Sequence, residues 1–243
     1  MTRFTYVRYE LLRNFRNWRF LILSLAFPLV LYYSVASANR ANGKLQGIAF
    51  PLAWMTSMAT LGAMASVISS CTVISAERSA GWTRQMRITP LGTGTYFGAK
   101  VLAGYLRAIL TIALLCAAGL TLGVHMPAQN WAVMIGLLLA GLVPFTVLGI
   151  LLGHLLASDS SAIALSGTVM IFALLGGVYG FQLAHAGTLL DIIKGIPSFW
   201  LAQAGKAALR LGNWPAEGWI VMAAWTAVLL PLAVLTYRRD TRR

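Results

Sequence analysis

Charge is scarce in this sequence, and negative charge is the scarcest. Asp and Glu number 6 against 19 Lys and Arg, and charged residues make up 10% of the chain, whereas soluble domains carry roughly 25%. So little charge excludes an ordinary soluble protein and predicts one that lies in a membrane. A transporter driven by an ion gradient usually needs a carboxylate inside a membrane span, and no carboxylate of this sequence is a candidate for that role. The acidic residues all fall at or beyond the ends of the long apolar runs: Glu10, Glu77, Asp159, Asp191, Glu217 and Asp240.

Groups that bind metals or catalyse reactions are also few. The 2 cysteines, Cys71 and Cys116, both lie in apolar runs, which argues against a disulfide framework. The 3 histidines have no close metal-ligating neighbours, so we expect no metal site. The nearest approach to a catalytic group is the segment 159–161 with His154 before it, and we interpret 159–161 as a helix cap. No G-x-x-x-x-G-K-[ST] phosphate loop occurs, so an ATP-driven activity would need a second chain.

Long apolar runs are what the sequence has in quantity. Hydrophobic residues make up 58% of the chain, and the runs have the length of membrane-spanning helices rather than the alternation of barrel strands. We predict an all-α membrane protein with a single domain, 1–243. Its six transmembrane helices are predicted at 20–38, 52–75, 101–124, 131–156, 162–181 and 218–237. A cleaved signal peptide ending near Ala36-Ser37-Ala38 is disfavoured, because the segment before this run is long and itself structured.

Basic residues are concentrated on one side of the predicted spans. Six spans put both termini on the same side, and 14 of the 19 basic residues fall there. The positive-inside rule therefore places both termini in the cytoplasm. Because these residues sit at span ends, binding to anionic membrane lipid accounts for them, and nucleic-acid binding is excluded.

Two basic segments on that side have a helical pattern. In 1–19, apolar residues recur every three or four positions with arginines between them, which predicts an amphipathic interface helix; the alternative is a flexible basic tail. The loop 77–100 begins with Glu77 and Arg78, continues with the helix-compatible WTRQMR and stops at Thr89-Pro90. We predict that an external motor protein contacts this loop; the alternative is a loop that only sets the topology.

The stretch AERSAGWTRQMRITPLGTGTYFGAK after the second run resembles the E-R-x-x-G-x-x-x-x-L-R-x-T-P-L pattern of ABC-2 type transporter permeases, with Met86 in place of the usual Leu. The resemblance implies the membrane subunit of a type V ABC exporter. Such a subunit pairs with a second permease, identical or paralogous, and attaches to cytoplasmic ABC ATPase subunits. ATP and Mg would bind those ATPases, and this chain would bind no cofactor. The loop would form a coupling helix that uses Glu77, Arg78, Trp82, Arg84, Arg87 and Pro90.

The resemblance also suggests where a substrate would pass. In that family spans 2 and 5 mainly line the path, although the same small polar and Met side chains can simply pack helices together. The candidate path residues are Met55, Met58, Met64, Ser69, Phe172 and Tyr179. The segment 182–217 resembles the re-entrant outer helices that cap the exit, with Pro197 and Trp200 at the bend; a plain extracellular loop is the alternative.

Three further expectations concern single positions. Glu77, at the helix end nearest the loop, needs a cation, which the basic N-terminal helix or a partner subunit could supply. Arg107 is expected to lie about 9 Å into span 3 and to snorkel to the interface. G-x-x-x-G spacings predict close helix contacts at Gly119/Gly123, Gly149/Gly153 and Gly176/Gly180.

The expected function is therefore that of a permease subunit without enzymatic activity, in a prokaryotic plasma membrane. It would belong to an ATP-driven exporter of a hydrophobic or amphipathic compound such as a drug or antibiotic. One alternative is an exporter of a lipid or lipid-linked polysaccharide. The other is a stand-alone membrane protein without an ATPase.

Overall fold

The computed structural model describes residues 3–16, 18–39, 44–45, 48–82, 92–179, 192–209 and 214–242. This part of the chain is helical apart from one short antiparallel ribbon, as the predicted all-α fold requires. The elements are α1 (Arg3–Arg16), α2 (Trp18–Ala38), β1 (Lys44–Leu45), β2 (Ile48–Ala49), α3 (Phe50–Ser79), α4 (Thr93–Thr121), α5 (Ala128–Gly141), α6 (Val143–Leu155), α7 (Ser158–Leu175), α8 (Pro197–Ala202), α9 (Ala204–Leu209) and α10 (Ala216–Arg242).

Helix α3 is the centre of the bundle. It starts with Pro51 in its first turn, a position where the missing N–H costs nothing, and continues for 30 residues. Most of its side chains are buried on every face, because α2, α4, α6 and α7 all pack against it. A helix that is buried on every face needs apolar side chains, or polar side chains that bond to backbone carbonyls of the same helix, and α3 has both kinds. Its apolar part includes Met55, Met58, Met64, Ile68 and Ile74, each with no exposed surface.

Glycines allow two helices to approach α3 closely. A Cβ at Gly104 of α4 would lie 3.1 Å from the Cα of Val67. A Cβ at Gly149 of α6 would lie 3.0 Å from the Cα of Ile68, and one at Gly153 would lie 2.7 Å from the carbonyl oxygen of Cys71. The close contact predicted for the Gly149/Gly153 pair is therefore confirmed, and the contact is between α6 and α3.

We expect Gly149→Val to lower the free energy of unfolding by about 1–3 kcal/mol, because its side chain would overlap the α3 backbone. Gly136→Val is the matched control, since a Cβ at Gly136 of α5 meets nothing within 4 Å. Thermal unfolding of the purified chain in detergent measures both. Equal loss in the two variants would show that the cost comes from the helix propensity of valine rather than from the α3–α6 contact.

Four helical segments are long and apolar enough to cross a membrane: Phe50–Ser79, Thr93–Thr121, Ala128–Leu155 and Ala216–Asp240. Two shorter apolar segments, Leu25–Ala38 and Ser160–Leu175, lie in the regions predicted as spans 1 and 5. The count of six spans therefore stays a prediction. Helix α4 begins eight residues before the predicted start at 101. The interpretation of 159–161 as a cap is wrong, because Ala157 occupies the N-cap position and these residues form the first turn of α7.

The short helices α8 and α9 insert between the ends of longer ones. Leu201 of α8 packs on Gly141, the last residue of α5, and Gly205 of α9 packs on Thr56 near the start of α3. Pro197 occupies the first turn of α8 rather than a bend within a helix. Trp200 is 5% exposed and its indole N–H donates to the Lys194 carbonyl at 2.8 Å. The remainder of the predicted cap, 182–191 and 210–213, lies outside the described residues.

Candidate functional site

Several helix ends meet at one end of the bundle, which we call the terminal end because α1 and the end of α10 lie there. Helix α1 packs along α4, α3 ends beside the start of α4, and α6 and α10 end nearby. A hydrogen bond between the hydroxyls of Thr93 and Tyr237, 3.1 Å apart, links the first turn of α4 to α10. The predicted coupling loop 77–100 begins and ends in this region.

Glu77 lies in the last turn of α3 and is only 6% exposed. Its Oε2 accepts a hydrogen bond from the Tyr96 hydroxyl at 2.6 Å. Its Oε1 accepts from Lys100 Nζ at 2.5 Å and also from the guanidinium of Arg13. The expected cation from the N-terminal helix is thus present as Arg13. Lys100 was not anticipated, although it stands one helical turn after Tyr96 and therefore on the same face of α4.

Lys100 has no exposed surface, and its ammonium joins two carboxylates from different helices. Nζ donates to Glu77 at 2.5 Å and to Glu10 of α1 at 2.7 Å. Glu10 is 1% exposed and lies 3.5 Å from Arg13. Glu10, Arg13, Glu77 and Lys100, which we call the ionic cluster, thus contain two negative and two positive charges. Burying such charges is costly, and it is sustained only because every charge has a partner.

Helix α1 contributes a phenol and a guanidinium to this end. Burial raises the pKa of Tyr6, and the charges of Glu10 and Glu77 raise it further, so the phenol stays neutral. Burial opposes the charge of Arg13, but the hydrogen bond to Glu77 and the charge of Glu10 outweigh burial and raise its pKa. Both α1 groups therefore keep one protonation state across the physiological pH range.

The N-terminal segment is helical over Arg3–Arg16, as expected. Its apolar stripe was predicted to face the membrane, and Leu12 of that stripe is 58% exposed, so the stripe is not wholly covered by the protein. The face that packs on α4 carries Glu10, which pairs with Lys100, and an apolar periodicity cannot reveal such a contact.

Arg78 ties α3 to the ends of α6 and α10. Its guanidinium donates to the carbonyl oxygens of Gly153, at 3.2 Å, and His154, at 2.5 Å, in the last turn of α6, where carbonyls lack partners within the helix. It also pairs with Asp240 at 2.9 Å. The two adjacent charges at the end of α3 therefore reach opposite ways: Glu77 towards α1 and α4, and Arg78 towards α6 and α10.

The rest of the predicted coupling residues lie at or beyond the limit of the described chain. Trp82 is half-buried just after the end of α3. Arg84, Arg87 and Pro90 lie outside the described residues, so their contact with an ATPase stays a prediction.

The candidate path residues lie inside the bundle in this conformation. Met55, Met58 and Met64 are fully buried, and the Ser69 hydroxyl donates to the Ser66 carbonyl of its own helix at 3.2 Å. The hydroxyls of Ser66, Thr72 and Ser75 likewise donate to backbone carbonyls of α3. The ring of Phe172 packs edge-on against Phe145 and Trp225, and Tyr179 is half-buried. A substrate would reach Met55, Met58, Met64 and Ser69 only if the bundle opens, whereas Phe172 and Tyr179 are partly exposed.

Arg107 is buried against α3, whereas its side chain was predicted to snorkel towards the membrane surface. Helix α4 runs from Thr93 to Thr121, so Arg107 stands at the midpoint of the helix. The side chain is 6% exposed and its guanidinium donates to the Ser70 hydroxyl of α3. The depth of about 9 Å, which was counted from residue 101, stays a prediction, and the helix itself begins eight residues earlier.

A known family accounts for most of this sequence. The family described as "ABC-2 family transporter protein" matches residues 32–235. The chain belongs to this family. It is also similar to a protein of Bacillus subtilis (strain 168) named "Putative transport permease YvfS", with 25% identity over 234 residues that cover 95% of each chain.

Membership of the ABC-2 family confirms the resemblance carried by the residues after α3. The protein is a membrane-embedded transporter permease. Permeases of this family in general work with an ATPase on a separate chain and are not enzymes themselves. The matched range includes Glu77 and Lys100, whereas Glu10 and Arg13 of α1 precede it.

Proposed function

We propose that this ABC-2 permease is the membrane subunit of an ATP-driven exporter in a prokaryotic plasma membrane, with both termini in the cytoplasm. Its cargo would be a hydrophobic or amphipathic compound such as a drug or antibiotic. ATP and Mg would bind a separate ABC ATPase, and a second permease would complete the membrane domain. The observation that supports this best is the ionic cluster, which joins α1, α3 and α4 next to the predicted coupling segment.

The cluster offers a way to pass movement into the membrane. A displacement of the segment after α3 would act first on Glu77, the buried residue in the last turn of that helix. Glu77 is bonded to Arg13 and Lys100, so α1 and α4 would move together with the end of α3. Because packed interfaces rearrange in discrete steps rather than deforming continuously, the three helices would move as one unit.

A second link carries the same movement to the other half of the bundle. Arg78 bonds the end of α6 and Asp240 of α10, and glycines hold α6 directly against α3. The α3 methionines lie further along α3, and Phe172 of α7 packs against Phe145 of α6. Separation of α3 from its neighbours would expose side chains that can adapt to varied apolar cargo.

Co-purification tests the requirement for an ATPase. The tagged permease, expressed with its neighbouring reading frames and isolated without crosslinker, should bring an ABC ATPase with it. A permease that repeatedly purifies alone would favour a stand-alone membrane protein. Stimulation of the ATPase by a lipid-linked sugar, but not by amphipathic drugs, would favour the polysaccharide exporter.

We expect Arg84→Glu and Arg87→Glu to weaken attachment of the ATPase by about tenfold or more while the permease still inserts, since charges at an interface rim govern partner association. Lys206→Glu in α9, near the start of α3 and far from the terminal end, is the control. The measurement is the amount of ATPase retained per permease at increasing salt. Unchanged retention in both arginine variants would argue that the loop only sets the topology.

A further inference from the structure

Arg107 is a buried cation at the middle of a helix that is long and apolar enough to cross a membrane. It stands 14 residues from each end of α4, or about 21 Å of helix. The residue is 6% exposed. A charge buried in such a helix is expensive, so a protein that keeps one normally uses it.

The structure gives this cation no carboxylate partner among the described residues. One amino group of its guanidinium donates to the Ser70 hydroxyl, and its Nε finds no acceptor in the described part of the chain. The charge of Glu10 in the ionic cluster, two turns away, also acts on Arg107, although Glu10 itself bonds Lys100. Asp240 is engaged by Arg78.

The surroundings of Arg107 are suited to an oxyanion. Ser70 is 2% exposed and accepts the bond from Arg107, which leaves its own hydroxyl hydrogen to donate. Nε–H of Arg107 and O–H of Ser70 are thus two neighbouring donors. Ser66 and Thr111, whose hydroxyl oxygens are 3.5 Å apart, make the adjoining part of the α3–α4 contact polar. A planar guanidinium with a nearby hydroxyl is a common arrangement for binding carboxylate and phosphate groups.

From this geometry we infer that Arg107 and Ser70 form a binding site for the anionic headgroup, a carboxylate or phosphate, of an amphipathic molecule. The molecule is either transported cargo or a membrane lipid. Because α3 and α4 pack closely at Gly104, it would enter when these helices separate, with its hydrocarbon part among their apolar side chains. The assignment of the molecule as cargo rests on the proposed export function. The binding of an anion at this site does not rest on it, because binding can be measured on the permease alone.

The test uses the full-length permease in nanodiscs of phosphatidylcholine, without ATPase or ATP. Decyl phosphate is the anionic probe and decanol its uncharged counterpart. Binding is followed through the thermal unfolding midpoint, read from the fluorescence of the 8 tryptophans. We expect decyl phosphate to bind at least about tenfold more tightly than decanol, the usual gain from hydrogen bonds to a charged group.

Two substitutions locate the effect. Arg107→Gln should remove the preference for decyl phosphate, and Arg239→Gln, which removes an exposed charge of α10, should leave it intact. If Arg107→Gln does not fold, Arg107→Lys replaces it: without the guanidinium fork, affinity for decyl phosphate should fall several-fold while decanol binding is unchanged. Equal loss in the Arg107 and Arg239 variants, or no loss at Arg107, overturns the inference.

A second arm identifies the source of the anion. Nanodiscs that contain phosphatidic acid are compared with phosphatidylcholine alone, without added probe. Stabilisation by phosphatidic acid that disappears in Arg107→Gln assigns the site to a lipid headgroup. Stabilisation by decyl phosphate alone assigns it to a soluble amphiphile and hence to cargo. If the complex binds the anion but does not export any compound with ATP, the proposed function is rejected and the anion-binding site is still supported.

Discussion

Lys100→Met is expected to leave little folded permease, with a loss of about 3–5 kcal/mol in the free energy of unfolding. The substitution keeps the length of the side chain but removes the ammonium that Glu10 and Glu77 share. Among the described residues, Arg13 would then be the cation paired with both buried carboxylates, and its side chain is 37% exposed. The yield of monodisperse protein and its unfolding midpoint in detergent measure the effect.

Removing the two carboxylates as well should restore much of that loss. With Glu10→Gln and Glu77→Gln added to Lys100→Met, no charge remains buried in the cluster, and Arg13 can turn towards solvent. Replacing a buried ion network by neutral groups is often neutral or even stabilising. Lys206→Met, at a half-buried lysine of α9, controls for the loss of a lysine as such. A Lys100→Met protein as stable as the wild type would show that the carboxylates do not depend on the ammonium.

Glu77→Gln is expected to separate ATP hydrolysis from transport. The amide has the shape of the carboxylate and can still accept from Tyr96, and Lys100 still has Glu10 as a partner. The complex should therefore assemble and bind ATP. What is lost is the charge that holds Arg13 and Lys100 against α3, so α1 and α4 would no longer follow the end of that helix. We expect transport to fall by about tenfold or more, the cost of weakening charge-assisted bonds, while hydrolysis continues.

A carboxylate elsewhere provides the control for this substitution. Glu217 is exposed at the start of α10, at the far end of that helix from Asp240. Glu217→Gln removes the same charge without touching the ionic cluster, and it should preserve assembly, hydrolysis and transport. If both substitutions reduce transport equally, net charge rather than the cluster is responsible.

The sequence predicted the helices and the family because both depend on local patterns. The run through α3 is apolar and helical over its whole length, and the motif that starts at Glu77 lies within one continuous stretch. The need of Glu77 for a cation followed from its place at a helix end. Lys100 was interpreted only as one of the positive charges that set the topology. Its spacing of four residues from Tyr96 already indicated that the two polar side chains share one face of α4.

What the sequence could not supply was the pairing between distant segments. Glu10 and Lys100 are 90 positions apart, and Arg13 and Glu77 are 64 apart. A hydropathy window ends a span at a lysine because it counts the charge and cannot see the carboxylates that neutralise it. The start of α4 was therefore placed too late.

The most direct test of the account is the number of molecules transported per ATP hydrolysed, measured in proteoliposomes that contain the permease and its ATPase. Wild-type and Glu77→Gln complexes are compared side by side, with Glu217→Gln as reference. We expect the ratio to be unchanged in Glu217→Gln and to fall by about tenfold in Glu77→Gln, because movement no longer passes through the ionic cluster. A wild-type ratio in the Glu77→Gln complex would contradict this role of the cluster and would make Glu77 only a residue at the membrane border.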